Sequence, residues 1–164
     1  MGEKAIQRIL VGLDGSAGSA AALEWAITLA KGVDAEIVAV HVFQLSYPLS
    51  APPAGGAMLG IGSEVASLER SLRDGVREAF RTEWTAPLAQ AGVRYRELFG
   101  EGRAGPVLIE AADREGADVI VTGRRGLGSL TEILAGSVSQ HLVHRANRPV
   151  LIIPHPSDEE ASGG

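Results

Sequence analysis

The sequence contains no cysteine, which removes disulfide frameworks and thiolate metal sites together. No apolar run comes near the roughly 18–20 residues that a membrane-spanning helix needs. Met1-Gly2-Glu3-Lys4 leads straight into a strand-like segment, without the apolar core of a secretory signal. These absences set the expectation of a cytoplasmic protein with no membrane association. A basic surplus is missing too, since the formal net charge is −5. Nucleic-acid binders draw much of their affinity from neutralising phosphates, so no nucleic-acid partner is expected. A single nucleotide is a different case, because a local pocket of backbone N–H groups holds phosphates whatever the global charge. Lysine is almost absent: Lys4 and Lys31 are the whole set and neither follows a glycine loop. A P-loop of the G-x4-G-K-S/T type is therefore excluded.

What remains is a 164-residue chain, 45% hydrophobic, long enough to bury one proper core. Segments Ile6–Leu13, Ala35–Phe43, Asp118–Thr122 and Pro149–Ile153 are short, nearly continuous aliphatic runs, as buried parallel strands are. Val93–Phe99 alternates and reads as a strand at a sheet edge. Between them lie helical patterns. Ala17–Lys31 is followed by Gly32, where a helix C-cap belongs. A long helix from Ser63 carries one apolar stripe (Val65, Leu68, Leu72, Val76, Phe80, Trp84, Leu88), is interrupted by Pro87 and closes at Gly92. Gly105-Pro106 opens a third helix that Gly116 closes, and a fourth runs to Arg145. Gln44–Gly62, with three prolines and four glycines, is a long loop. The order β-α-β-α-β-α-β-α-β predicts a five-stranded parallel sheet with helices on both faces. One domain over residues 1–155 and a disordered tail over 156–164 complete the expected organisation.

In such sheets ligands sit outside the carboxyl ends of the strands. The richest of those ends reads GRRGLGSLTEILAGSVSQ, from Gly123. Its glycines let successive N–H groups converge on one concavity. Gly136-Ser137 falls at a helix N-terminus, where unspent amides and the helix dipole favour an anion. Arg124 and Arg125 add charge-assisted donors. Asp14 ends the first strand, where it either serves a ligand or simply caps the next helix. His141 and His144 share a helix face without a third metal ligand and read as structural. Trp25 and Trp84 lie on helical apolar stripes and read as core or interface residues.

The spacing Gly123-x2-Gly126-x9-Gly136-Ser137 resembles the ATP-binding signature G-x2-G-x9-G-S/T of universal stress proteins. KAIQRILVGLDGS, AVHV, VIVTG and RPVLIIP are similar to that family as well, so the resemblance covers nearly the whole chain in order. It implies a flavodoxin-like sheet of order 3-2-1-4-5 and a homodimer, here through Val150, Leu151, Ile152 and Ile153. It implies ATP, with Mg2+ on its phosphates, as the cofactor. Asp14 would then approach the ribose or bind the metal, beside Gly12 and Leu13, and Val42 would meet adenine through its backbone. Gly123, Arg124, Arg125, Gly126, Gly136, Ser137, Val138 and Ser139 would surround the phosphates. Two positions depart from the family pattern: Arg125 stands where relatives often carry His, and Gly12 where a proline or another small residue precedes the aspartate.

Rival chemistries fit less well. The first turn, GLDGSAG, is not the G-x-G-x-x-G of a dinucleotide fold. A phospho-acceptor receiver would need further acidic ligands and a lysine after the fifth strand, where Pro154 stands. Phosphoryl transfer needs a positioned base or nucleophile, and Asp14 is the sole candidate. The sequence thus points to an ATP-binding stress-response or signalling module. A slow ATPase and a nucleotide-free dimeric interaction module remain the alternatives.

Overall fold

Strands rich in β-branched residues alternate with helices along this chain, and each strand feeds side chains to both faces of the sheet it joins. The computed structural model describes residues 5–44, 61–124 and 136–154, without the side chains of 61 and 62. Strands β1 (Arg8–Gly12), β2 (Glu36–Phe43), β3 (Tyr95–Glu101), β4 (Val119–Gly123) and β5 (Val150–Ile153) form one parallel sheet in the order β3-β2-β1-β4-β5. Helices are α1 (Ala17–Val33), α2 (Ile61–Ala79), α3 (Ala86–Ala91), α4 (Ala104–Glu115) and α5 (Ser137–Arg145). Ile9, Val11, Ile37, Ala39, Val119 and Val121 pack with α1, Phe80 and Leu88 on one face. Leu10, Val38, Val40 and Ile120 pack with Leu108, Ala112 and Leu142 on the other. The period-2 alternation of strands produces this division, and burial of each such aliphatic side chain stabilises by about 1.5–3 kcal/mol. The expected flavodoxin-like topology is therefore the observed one.

Four details of the sequence reading need correction. Helix α1 runs past Gly32 to Val33, and the left-handed closing residue is Asp34 (φ 55); aspartate tolerates that conformation better than most side chains. The expected loop ends earlier, because Ile61 and Gly62 are already helical; its residues 45–60, like the tail from 155, lie outside the described residues. The long helix breaks ahead of Pro87. It passes at Phe80 into a five-residue π-helical turn, Phe80–Trp84, where the Thr85 N–H donates to the Phe80 carbonyl at 3.1 Å. A proline ring clashes with the carbonyl four residues back, here Glu83, so the chain leaves the helix first and restarts it with Pro87 in the opening turn of α3. Trp25 is 57% exposed, which excludes the core half of its core-or-interface reading.

The apolar stripe of α2 is only partly used, for Leu68 and Leu72 stay exposed. What seats the helix on β3 is a ladder of arginines at i, i+4 and i+8. Arg73 pairs with Glu101 (3.2 Å), Arg77 lies over the Phe99 ring (4.6 Å) and Arg81 faces Glu97 (3.6 Å). Rising helix numbers meet falling strand numbers, as an antiparallel crossover above a parallel strand requires.

The amino ends of the strands are stapled by charge. Glu36 accepts from Arg8 at 3.1 Å and from Arg96 at 3.0 Å, and Arg96 also pairs with Glu115 at 2.9 Å. Arg8 further donates to the Glu115 carbonyl, and Asp118 accepts from the main-chain N–H groups of Gln7 and Arg8. Arg148 ties Asp113 to the carbonyls of Ala112 and Ala117. A hollow of about 420 Å³ opens here, but Arg8, Glu36, Arg94 and Asp34 in its wall are engaged with one another or with main chain. It offers no uncommitted charge for a ligand.

Burial raises the Glu36 pKa, but hydrogen bonds and charge from Arg8 and Arg96 outweigh it and hold the carboxyl below its ordinary value of 4.5. In that window the unfolded chain binds a proton that the folded chain does not, so stability rises with pH. Glu36→Gln should therefore cost about 1–2 kcal/mol at neutral pH. The gap to wild type in urea denaturation should close as pH falls below about 4.5; a gap that persists undiminished at lower pH contradicts the assignment.

Candidate functional site

The connection from β1 runs toward β2, whereas β4 leads on to β5. The strand order thus reverses between β1 and β4, and a crevice opens outside their carboxyl ends. On the β1 side the chain turns through Asp14-Gly15-Ser16. Asp14 Oδ1 accepts from the Ser16 N–H (3.0 Å) and from Ser16 Oγ (2.5 Å). Ser16 caps α1, its Oγ accepting from the Ser19 N–H at 3.1 Å. Ser19 Oγ donates back to the Ser16 carbonyl (3.0 Å) and accepts from the Asp14 N–H (3.3 Å). Two serines and one carboxylate thereby close the turn, and the Ser16 hydroxyl satisfies one first-turn amide of α1, as N-caps do. Asp14 does the work of a turn residue while remaining half-buried at the crevice.

On the β4 side, Gly123 is required by packing. A Cβ there would stand 2.6 Å from the carbonyl carbon and oxygen of Gly18 in the first turn of α1. The next residue, Arg124, donates its N–H to the Ile153 carbonyl (2.9 Å). Its carbonyl accepts from the Gly136 N–H (2.7 Å) and from Ser139 Oγ (3.0 Å). Ser139 is buried, with the Gly136 carbonyl as a second acceptor at 2.9 Å. The first and last residues around the glycine-rich loop are thus joined to one another. Arg125 and Gly126 lie outside the described residues. Helix α5 then starts at Ser137, which is exposed, and Gly136 as its N-cap supplies no side chain to the first-turn amides. Val138 is half-buried and packs into the core beneath α4 and α5.

The β2 end closes the crevice from the other side. Val42 stands opposite Gly100 in the register, half-buried beside Leu98. Gly12 pairs with Val40, and a Cβ on it would crowd Leu108 at 3.2 Å. Leu13 is buried, its N–H donating to the Val40 carbonyl at 2.9 Å and its carbonyl lying 2.7 Å from His41 Nδ1. A carbonyl can only accept, so Nδ1 carries the proton. His41 is buried among Trp84 (5.0 Å between ring centroids), Phe99 (5.4 Å) and Phe80 (6.0 Å). Burial pushes its pKa below 6.5, although the Leu13 hydrogen bond and the Asp14 charge pull the other way.

Sequence reasoning passed over this histidine, having searched for metal ligands. The signal was present as a lone polar residue inside IVAVHVF. His141 is structural as expected, its ring filling the space that a side chain on Gly105 would take. Among the described residues no cluster of three or more His, Asp or Glu could hold a metal ion, and no helix is long and apolar enough to cross a membrane.

The Universal stress protein family model matches residues 5–154 of the chain. Universal stress protein MJ0531 of Methanocaldococcus jannaschii is 32% identical over 158 residues, covering 96% of this chain and 88% of that protein. The solved structure of MJ0577, from the same organism, superposes with a TM-score of 0.73 at 21% identity, over 92% of this chain and 96% of that one. A universal stress protein solved in complex with cAMP matches with a TM-score of 0.58 at 25% identity, over 93% and 99%.

The depressed pKa of His41 carries a stability signature. Between its folded value and 6.5 the unfolded chain is protonated there and the folded chain is not, so stability is complete above that range and falls with pH through it. Asn keeps a donor toward the Leu13 carbonyl but does not titrate. His41→Asn should consequently lose less stability than wild type between pH 7.5 and 5.5 in urea denaturation; equal losses would contradict the assignment.

Proposed function

The chain belongs to the universal stress protein family, and from that premise we propose that it is an ATP-binding member acting as a nucleotide-dependent stress-response module in the cytoplasm. The observation that carries the reading is the junction at Arg124. One carbonyl joins the start of the glycine-rich loop to its end, and so holds the N-terminus of α5 at the end of β4, whose Gly123 packs on the first turn of α1. The amides of Ser137 and Val138 have no acceptor within their own helix and lie at its positive end, which suits phosphate oxygens. Arg124 and Arg125 add positive charge, and Gly126 belongs to the same proposed phosphate set. Ser139 shapes the junction through its buried hydroxyl. Gly123 acts one step back, by letting β4 approach α1.

Asp14, with Gly12 and Leu13 before it, faces the ribose and the metal on the phosphates, and the Val42 backbone reads adenine. Mg2+ is commonly held by one or two carboxylates together with substrate phosphates, so a single aspartate fits it and a cage is not required. The bound metal would neutralise phosphate charge. No step of hydrolysis is assigned to the described side chains; Asp14 accepts from Ser16 through Oδ1. The relative solved with cAMP supports a nucleotide in this crevice.

The functional unit we propose is a single domain over residues 1–155, paired as a homodimer through β5. That strand is a sheet edge, with Val150 and Ile152 half-buried, Ile153 buried and Leu151 exposed. Aliphatic edges invite pairing.

Ser137→Pro offers a clean test. Proline suits the first helical position and removes one N–H, and Gly136 (φ −58, ψ 156) already has the extended conformation that a following proline demands. Losing a charge-assisted hydrogen bond costs about 1.5–3 kcal/mol, so calorimetric affinity for ATP should fall at least about tenfold. Ser137→Ala, which keeps the amide, should bind nearly as wild type, and both should melt as wild type does. Wild type that carries no nucleotide by mass after denaturation, and binds neither added ATP nor cAMP, would leave the interaction-module reading in its place. For the dimer, Leu151→Asp should sediment as a monomer where wild type sediments as a dimer.

A further inference from the structure

Trp84 closes the π-helical turn, and its indole reaches the carboxyl end of the sheet. A Cβ built on Gly15 would fall 2.5 Å from Cζ2, 2.7 Å from Cε2 and 3.1 Å from Nε1 of that indole, so the ring edge rests on the bare Cα. Gly15 also holds φ +79, a conformation that glycine adopts without penalty. It lies between Asp14 and Ser16, whose side chains bond to each other across it. The other face of the contact is His41, edge-on to Trp84 at 5.0 Å and bonded to the Leu13 carbonyl. The residue before Asp14 and the residue after it are therefore held by the same aromatic cluster.

Core filling alone does not account for the placement of the indole. Phe80 and Leu88, on the same stretch, are buried at 1% and 0% exposure, whereas Trp84 is only half-buried. A π-helical turn contains one residue more than an α-turn and recurs at functional sites. Dropping that residue would rotate all that follows by about 100°. With the extra residue present, Thr85 gives its hydroxyl to Glu97 at 2.7 Å while Trp84 stays over the β1–α1 turn.

We propose that Trp84 is a positioning residue of the nucleotide site, its indole seated on Gly15 so that the Asp14 turn is held ready for ribose and metal-bound phosphate. The inference rests on the nucleotide-binding reading above and adds to it a residue outside the glycine-rich signature. It also makes Trp84 a built-in reporter, since Trp25 is exposed and can be removed without touching the site.

The experiment uses the full chain carrying Trp25→Phe, in which Trp84 is the remaining tryptophan. Adding ATP with Mg2+ should change Trp84 emission and lower its quenching by acrylamide, with the same midpoint as calorimetric binding. In the wild-type background, Trp84→Leu should weaken ATP by about tenfold through lost preorganisation, Trp84→Phe should recover most of that, and Gly15→Ala, which displaces the indole rather than deleting it, should match the Leu variant. Two results overturn the proposal while leaving ATP binding intact: ATP saturates the Trp25→Phe protein without altering Trp84 emission or quenching, or folded Trp84→Leu and Gly15→Ala bind ATP with wild-type affinity. A wild-type protein that binds no ATP removes the nucleotide reading and this inference with it. Because the emission arm uses an unaltered Trp84, instability of the other variants does not protect the proposal.

Discussion

The main chain of Arg124 fixes the carboxyl end of the sheet. Its N–H is bound to β5 through the Ile153 carbonyl, and its own carbonyl receives both the Gly136 amide and the Ser139 hydroxyl. Those three bonds make the end of β4, the edge strand and the start of α5 one unit. The unit can sit against the start of α1 only because Gly123 brings no side chain against the Gly18 backbone. A larger residue at 123 would push β4 from α1, and the crevice would lose its floor before any ligand contact was lost. The glycine thus serves the site through architecture.

The two ends of the sheet are held by different chemistry, and the difference follows from what each must do. At the amino ends Glu36, Glu115, Asp113, Arg8, Arg96 and Arg148 satisfy one another or nearby carbonyls, so the charge there is spent. At the carboxyl ends the turns are closed by main-chain amides, two cap serines, Ser139 and one carboxylate. None of these groups is a side chain on the N-cap of α5, which is Gly136, so the dipole of that helix is left uncompensated there. An anion is favoured where the dipole is left open, and not where paired charges already cancel.

How far the sequence could be read depended on how local each cause was. The five strands and their order rest on short aliphatic runs and on a resemblance that spans the chain, and the observed sheet agrees apart from end positions. The cap at Gly116 was legible because glycine and a left-handed residue coincide there (φ 63). The same rule misplaced the end of α1, where Asp34 takes that conformation in place of Gly32. The break in the long helix was attributed to Pro87 alone, since an i→i+5 bond at Phe80 depends on where Trp84 and Thr85 find partners in other elements. Periodicity could not tell that the stripe on α2 would be seated by arginines rather than by leucines, because Glu97, Phe99 and Glu101 are distant in sequence. Gly123 was singled out for its spacing, whereas the contact that demands a glycine there is with Gly18, which no local pattern encodes.

That distinction between local and tertiary causes bears on what kind of protein this is. Phosphoryl transfer demands an in-line base or a water held by one. The sole acidic side chain in the crevice turn directs Oδ1 at Ser16, and the histidine nearest to it has its Nδ1 proton committed to Leu13 and its ring enclosed by three aromatic side chains. Both groups help to hold the β1–α1 turn in shape. A site that invests its ionisable residues in positioning is suited to recognising a nucleotide and to transmitting its presence. On the proposed reading, the turn that senses the ribose is the same one that touches Trp84, and through Trp84 it reaches the helix pair above β3. Occupancy would therefore be felt as a restraint on that helix pair, which is a signal a protein partner can read without any bond being broken.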